Sequence, residues 1–368
     1  MAEMMKAALL ERPGEPFAVR DVPRPVLTGG DDVIIRVAAA GLVPNMRAVV
    51  SGKEWYVLPP MPAVYGLDAA GTVESCGSNV VGFRPGDRVY INPVLSCGGC
   101  AACRAGRSLL CDSFTLRGYF CTGPDGPSLQ KRYPYGAFAE YTLAPASSLV
   151  RLPDVVTFEQ AARFGYLGTS YHALQKAGVK PGSVVIINGV TGTLGVGGVE
   201  LALAMGAKRV LGTGRNANIL KEVESIDSRR VRTADVTRDD LTSWLLEQSD
   251  GIGADSLVDF QGRGSPIGQL NAALKGLRKG GSAVVSGAVS GAPDADYVWL
   301  LITGVSLTGS VWFTTAEGQE MADLAGAGVL DLSVWKTRAF SLEDINEGLA
   351  FVAARQGGFT NVVVQVAQ

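Results

Sequence analysis

The sequence predicts an α/β protein: a β-rich portion up to about residue 156, then a parallel sheet with helices on both faces. The first part holds short strand signals separated by Gly and Pro turns, among them Val33–Ala38, Ala70–Glu74 and Asp87–Ile91. From about Thr157 the rhythm changes. Apolar strands at Val184–Ile187, Arg209–Gly212, Ser256–Asp259 and Ala283–Ser286 end at turn residues, with helical patterns between the first ones. After Val311 come helical stretches at Ala316–Gly326 and Leu342–Arg355 and a closing strand from Asn361. No internal repeat is present.

Bulk properties narrow the class. A chain of 368 residues suits two domains of usual size or one large one, and a net charge of -2 gives no broad positive field for nucleic acid. The 47 glycines and 18 prolines are scattered and read as turn punctuation. No apolar run is long enough for a bilayer span, and Met1–Lys6 lacks the features of a signal peptide, so a cytoplasmic protein is expected.

Four of the six cysteines fall in the run Cys97-x2-Cys100-x2-Cys103-x7-Cys111. Four thiolates on one loop suit a tetrahedral zinc with closed coordination, hence one structural ion. A disulfide framework is the rival reading, and a chain this long does not need such staples. A catalytic zinc usually takes at least one imidazole. The only histidine, His172, sits among apolar neighbours and reads as a packed helix residue.

Where the first α/β strand ends, the chain reads Asn188-Gly189-Val-Thr-Gly192-Thr193-Leu194-Gly195, followed by an apolar helix to Gly206. Glycines there permit a tight turn, let backbone amides approach a pyrophosphate and let the helix pack closely on the sheet. Strand before, helix after and a further strand at Val210 mark a dinucleotide site, with ordinary strand-helix packing as the alternative. Gly189, Gly192, Thr193, Leu194 and Gly195 are expected at the pyrophosphate. The next strand ends Gly214-Arg215-Asn216 with no carboxylate, so Arg215 and Asn216 suit the adenosine phosphate of NADPH better than the ribose hydroxyls of NADH. The competing reading leaves Arg215 in solvent.

These residues resemble the medium-chain dehydrogenase/reductases, the superfamily of alcohol dehydrogenases and quinone reductases. Ala40-Gly-Leu, Val81-Gly-Phe-Arg-Pro-Gly-Asp-Arg-Val, the cysteine lobe, Gly136-Ala-Phe-Ala-Glu-Tyr, Gly168-Thr-Ser-Tyr-His-Ala-Leu, Val179-Lys-Pro-Gly and the glycine motif follow in the family's order. The resemblance implies a GroES-like β-rich catalytic domain (1–156, zinc lobe at 97–111), a Rossmann doubly wound parallel sheet binding NADP (157–312) and a C-terminal return to the first domain (313–368). It also implies that Thr169 and Gly287 lie near the nicotinamide. A homodimer is expected through strand Val305–Val311, as in similar proteins.

Three positions depart from the zinc-dependent members. Val43-Pro44-Asn45-Met46 stands where they carry Cys-Gly-Ser/Thr-Asp, Gly66-Leu67-Asp68 where they carry Gly-His-Glu, and the third ligand falls near Gly165 or Tyr166. The Gly66-Leu-Asp-Ala-Ala-Gly segment is similar to that of zinc-free quinone and enoyl reductases. Without a metal to hold an alkoxide, hydride addition is easiest where the substrate itself spreads or neutralises the charge. The leading expectation is therefore NADPH-dependent reduction of an activated C=C bond in an enone, quinone or iminium-like substrate. A zinc-free ketone or aldehyde reductase and a non-catalytic NADPH-binding protein are the alternatives.

Asn45 is expected to orient a substrate oxygen, and Tyr56, Tyr65 and Tyr166 are the candidate proton donors. Each tyrosine has pocket wall or core packing as its alternative role. Trp55 and the tyrosines suggest an apolar cyclic or aromatic small molecule as substrate.

Overall fold

A computed structural model describes residues 3–53, 56–237, 240–294, 296–354 and 357–366; Trp55 lies outside them. The N-terminal part is built on a seven-stranded sheet ordered Leu149–Arg151, Arg88–Ile91, Asp68–Cys76, Asp32–Gly41, Thr360–Gln365, Lys336–Ser341, with Tyr141–Pro145 also paired to Asp32–Gly41. Strand Asp32–Gly41 is buried at nearly every position because sheet and helices cover both of its faces. A second sheet joins Ala18–Pro23, Met4–Leu10 and Ala63–Val64, and a third joins Val94–Leu95, Thr115–Leu116 and Phe120–Cys121 beside the cysteines.

The other large sheet is wholly parallel, ordered Val231–Asp235, Arg209–Gly214, Val184–Asn188, Ala254–Asp259, Leu277–Val285, Ser306–Gly309. Val184–Asn188 is buried throughout, as a central strand covered on both faces must be. The helix after it, Thr193–Ala204, is apolar on nearly all sides and fills the space against helix Phe164–Lys176. Together the two parts form the GroES-like domain and Rossmann sheet expected of the sequence.

The chain ends by completing the sheet it began. Val363 pairs with Gly41 and Val364 with Ala40, antiparallel, and Lys336–Ser341 runs parallel to that last strand. Buried Asn92 ties the parts from inside, its Nδ2 donating to the Phe313 carbonyl (3.1 Å) while its Oδ1 accepts from Trp312 Nε1 (2.9 Å). His172 differs from the apolar setting its neighbours suggested. Its Nδ1 lies 2.7 Å from Glu317 Oε1, so it bridges helix Phe164–Lys176 to the capping box that opens helix Thr315–Gly326.

Strand Ser306–Gly309 is the sheet edge, and helix Tyr297–Thr303 beside it shows apolar side chains to solvent. Tyr297 and Leu301 are each 83% exposed, and Val298 and Ile302 more than 60%. Among the described residues no helix is long and apolar enough to cross a membrane.

Candidate active site

A cleft of about 680 Å³ lies between the two large sheets. The nucleotide loop forms its floor. Gly189 has φ +82, which favours glycine, and a Cβ on Gly195 would fall 2.4 Å from the Gly189 carbonyl oxygen. The helix Thr193–Ala204 starts at Gly192 with no side-chain cap, so its first N–H groups remain open toward the cleft. A dinucleotide diphosphate fits this cradle of backbone donors at the positive end of a helix.

Gly189, Gly192, Thr193, Leu194, Arg215, Asn216 and Gly287 all line the cleft. Gly195 acts one layer below, as the close-packing glycine. Thr169 is not on the wall; its hydroxyl donates back to the Gly165 carbonyl, 2.7 Å away, within its helix. Arg215 is exposed at the strand end, and Asn216 caps the next helix by accepting from the Asn218 and Ile219 N–H groups. Gln261, Arg263, Ser265 and Gln269 add a polar flank that no sequence signal marked.

At the reacting end, Asn45, Tyr56 and Tyr166 line the cleft and Tyr65 does not. Tyr65 is fully buried, edge-on to Phe17 at 5.8 Å, and its hydroxyl has no partner among the described residues. Burial pushes its pKa well up. Tyr166 also has a buried, unpartnered hydroxyl with its pKa raised by burial and by the Asp68 charge. Tyr56 stacks on Phe120 with ring centres 4.3 Å apart.

The positions where similar enzymes would hold a catalytic zinc offer no set of ligands. Val43 and Leu67 are buried hydrocarbon; of the two residues at the third position, Gly165 has no side chain and Tyr166 offers a neutral hydroxyl whose pKa burial raises. The space at Gly165 is taken by Asp68, whose Oδ1 would sit 2.2 Å from a Cβ built there. That carboxyl accepts from Tyr90 Oη at 2.6 Å and from the Gly165 N–H, while its Oδ2 is buried without a partner among the described residues. These residues do not fit a catalytic metal. Burial outweighs the two hydrogen bonds and raises the Asp68 pKa from 3.8 to about 7.

The four cysteines do fit a metal. Cys97, Cys100, Cys103 and Cys111 place their sulfurs within 4.8 Å of one another, and they are the one such group of three or more metal-binding side chains among the described residues. Cys97 and Cys103 sulfurs are 4.0 Å apart, close to the roughly 3.8 Å separation of two ligands in a tetrahedral zinc-thiolate site. Backbone N–H groups of Cys97 and Ser113 donate to Cys111 Sγ, and that of Cys100 to Cys97 Sγ.

Sequence reasoning passed over Tyr119 and gave Asp68 no role. Tyr119 is buried, and its hydroxyl donates to Asn45 Oδ1 at 2.8 Å. No local pattern announces it. Two residues on, Cys121 pairs antiparallel with Val57, which brings this segment to the chain that follows the short helix Met46–Val50.

Asp68 makes stability depend on pH in a defined direction. A carboxyl whose pKa rises on folding binds its proton more tightly folded, so its contribution is full below about pH 4 and is lost as pH rises through about 7. Asp68→Asn keeps the neutral shape and removes that loss. Between pH 5 and 8 the melting temperature of the wild type is expected to fall further than the variant's, by on the order of 5 °C; parallel pH profiles in a thermal melt would refute the assignment.

Comparison with known proteins agrees with the geometry. Residues 29–154 match the Alcohol dehydrogenase GroES-like domain family and residues 193–327 the Zinc-binding dehydrogenase family. An alcohol dehydrogenase of Geobacillus stearothermophilus is 30% identical over 345 residues, covering 93% of this chain and 94% of that protein. An L-threonine 3-dehydrogenase of Anaeromyxobacter dehalogenans is 30% identical over 346 residues, covering 92% of each. A zinc-binding dehydrogenase from Sinorhizobium meliloti 1021, solved bound to NADP, superposes with a TM-score of 0.82 at 25% identity over 99% of both chains. Identity at this level over nearly the whole length, on a GroES-like domain joined to a Rossmann sheet, means that the chain belongs to the medium-chain dehydrogenase/reductase superfamily of NAD(P)-dependent oxidoreductases.

Proposed function

We propose that the chain uses NADPH to reduce an activated C=C bond, conjugated with a carbonyl, without a catalytic metal. The observation that carries this is the pairing of an open nucleotide cradle with Val43, Leu67 and either Gly165 or Tyr166 at the positions that the resemblance gives to the metal ligands. Bound NADPH supplies the hydride. Val43, Leu67 and Gly165 bring no metal ligand to its site, so on this reading charge that develops during addition passes into the substrate and reaches an oxygen held by hydrogen bonds. Asn45, Tyr56 and Tyr166 line the cleft, which supports a reading in which Asn45 holds that oxygen and the tyrosines wall in an apolar ring and supply a proton. Cleft residues come from both large sheets, so the substrate is enclosed between them.

One observation favours a second reading, a ketone or aldehyde reductase in which a tyrosine replaces the metal. Tyr166 brings an unpartnered buried hydroxyl to the cleft wall, and the relatives above are named for alcohol and threonine dehydrogenation. NADPH turnover with a cyclic enone and an aromatic enal, with products identified by NMR, separates the two. A saturated carbonyl is the expected product. An allylic alcohol would mean carbonyl reduction, and no turnover of these or of saturated ketones would favour a binding protein.

NADPH is preferred over NADH because Arg215 and Asn216 end the strand where a carboxylate would otherwise repel a 2'-phosphate. The similar Sinorhizobium protein was solved with NADP. Arg215→Ala is expected to weaken NADPH about tenfold or more while leaving NADH within about twofold; equal losses in a fluorescence titration would remove Arg215 from the phosphate site.

The cysteine cluster is proposed to hold one structural zinc and the edge strand Ser306–Gly309, with its exposed apolar neighbours, to pair across a two-fold axis. Native mass measurement of the purified protein is expected to give twice the chain mass and one zinc per chain. A zinc-free monomer would contradict both.

A further inference from the structure

The geometry points to Tyr119 as the residue that decides which end of the Asn45 amide faces the cleft, and we infer that the amide therefore presents hydrogen-bond donors to the substrate. This rests on the reading of the cleft as a site of hydride addition. Asn45 immediately precedes helix Met46–Val50, a position where an asparagine oxygen ordinarily accepts from the first N–H groups. Here it makes no such cap. Its Oδ1 instead accepts from Tyr119 Oη at 2.8 Å.

The direction of that bond is settled by burial. Tyr119 is only 2% exposed, and Asn45 Oδ1 is the one acceptor that its hydroxyl reaches among the described residues. Turning the amide over would leave the buried O–H donor unpaired, at a cost of about 1–3 kcal/mol. The ring cannot easily move to compensate. It packs on Phe120 at 5.2 Å, Phe120 stacks on Tyr56, and the segment is held by paired backbone bonds between Val57 and Cys121. With Oδ1 occupied, Asn45 has its Nδ2–H groups left for a ligand, and Asn45 lines the cleft.

Two consequences follow for the substrate. A donor suits a carbonyl or quinone oxygen, and suits it better as hydride addition to the β-carbon converts the C=C–C=O unit to an enolate with negative charge on oxygen. The proton that completes the reduction then goes to the α-carbon. A cationic iminium has no lone pair for this donor, so the substrate class narrows to enones, enals and quinones. Tyr119 touches no substrate. It acts as a positioning residue, and its O–H also polarises the amide, so its removal should lower kcat more than it raises KM.

The test is a double-mutant cycle on the full-length zinc-loaded protein with a cyclic enone. Tyr119→Phe keeps the ring and is expected to lower kcat/KM about tenfold, mainly in kcat, with the melting temperature little changed. In an Asn45→Ala background the same change should do nothing further. A full additional loss there, or no loss in the wild-type background, would overturn the proposal. A second readout does not depend on the reaction. Binding of cyclohexanone to the NADP⁺ complex, followed by calorimetry, is expected to weaken about two- to threefold in both single variants, less than the loss in kcat/KM, while methylcyclohexane binding stays unchanged. Ketone binding that obeys this pattern without enone turnover would sink the reduction reading and keep the donor assignment. Enone turnover with ketone binding indifferent to Tyr119 would do the reverse.

Discussion

The cleft depends on the close packing of strand Asp32–Gly41 against the segment that enters the Rossmann part. At Gly41 a single added Cβ would lie 2.3 Å from the Ala162 carbonyl oxygen, so no other residue fits without moving helix Phe158–Ala161. The strand is paired along its length with Asp68–Cys76 and at its two ends with Tyr141–Pro145 and Thr360–Gln365. It stops at the contact with Ala162, and Asn45 follows four residues later. Helix Phe164–Lys176, which carries Gly165 and Tyr166, begins just past that contact. The anchor and one tyrosine wall of the cleft are thus fixed by one backbone approach from opposite sides.

A buried cation near the cofactor loop shows the same economy of parts. Arg163 is fully buried; it donates to the carbonyls of Gly358 and Thr360 and lies over the Trp335 ring at 4.6 Å. Trp335 Nε1 donates to the same Gly358 carbonyl, and Gly358 N–H reaches the Thr191 carbonyl in the nucleotide loop. The C-terminal strand is thereby tied to the loop under the cofactor as well as to the first sheet. Burial lowers the Arg163 pKa to about 9; its two terminal nitrogens donate to backbone carbonyls, while its Nε is buried with no partner among the described residues.

What the sequence revealed divides along the line between local and long-range physics. The strand at Val184–Asn188, the glycine turn after it and the helix from Thr193 obey rules that act within a dozen residues, and they stand where the pattern put them. The four cysteines announce their cluster by spacing alone. Strand Val231–Asp235, half-buried and polar at several positions, left no clear periodic signal. Tyr65 is a candidate proton donor by sequence, but in the fold it sits in the link after the short strand Ala63–Val64 and packs edge-on to Phe17 in the core. Tyr119 reaches Asn45 across 74 positions through the Val57–Cys121 pairing, and no rule of spacing could deliver that.

The cleft's electrostatics carry the argument about chemistry furthest. Behind its reacting end lie a carboxyl, Asp68, whose pKa burial lifts to about 7, and Tyr119, while Tyr166 stands on the wall; burial holds both tyrosine hydroxyls protonated. Every one of these shifts favours the neutral form, so burial around this end of the cleft lowers its fixed charge and leaves hydroxyl donors. Such an environment cannot stabilise a localised alkoxide as a divalent cation does. It can stabilise an enolate, whose charge is spread over three atoms and needs only a few well-placed donors. Burial supplies the rest, because hydrogen bonds to a developing anion strengthen as water is excluded. On the proposed reading, losing the metal ligands and gaining a neutral, buried, tyrosine-rich wall are two aspects of one adaptation.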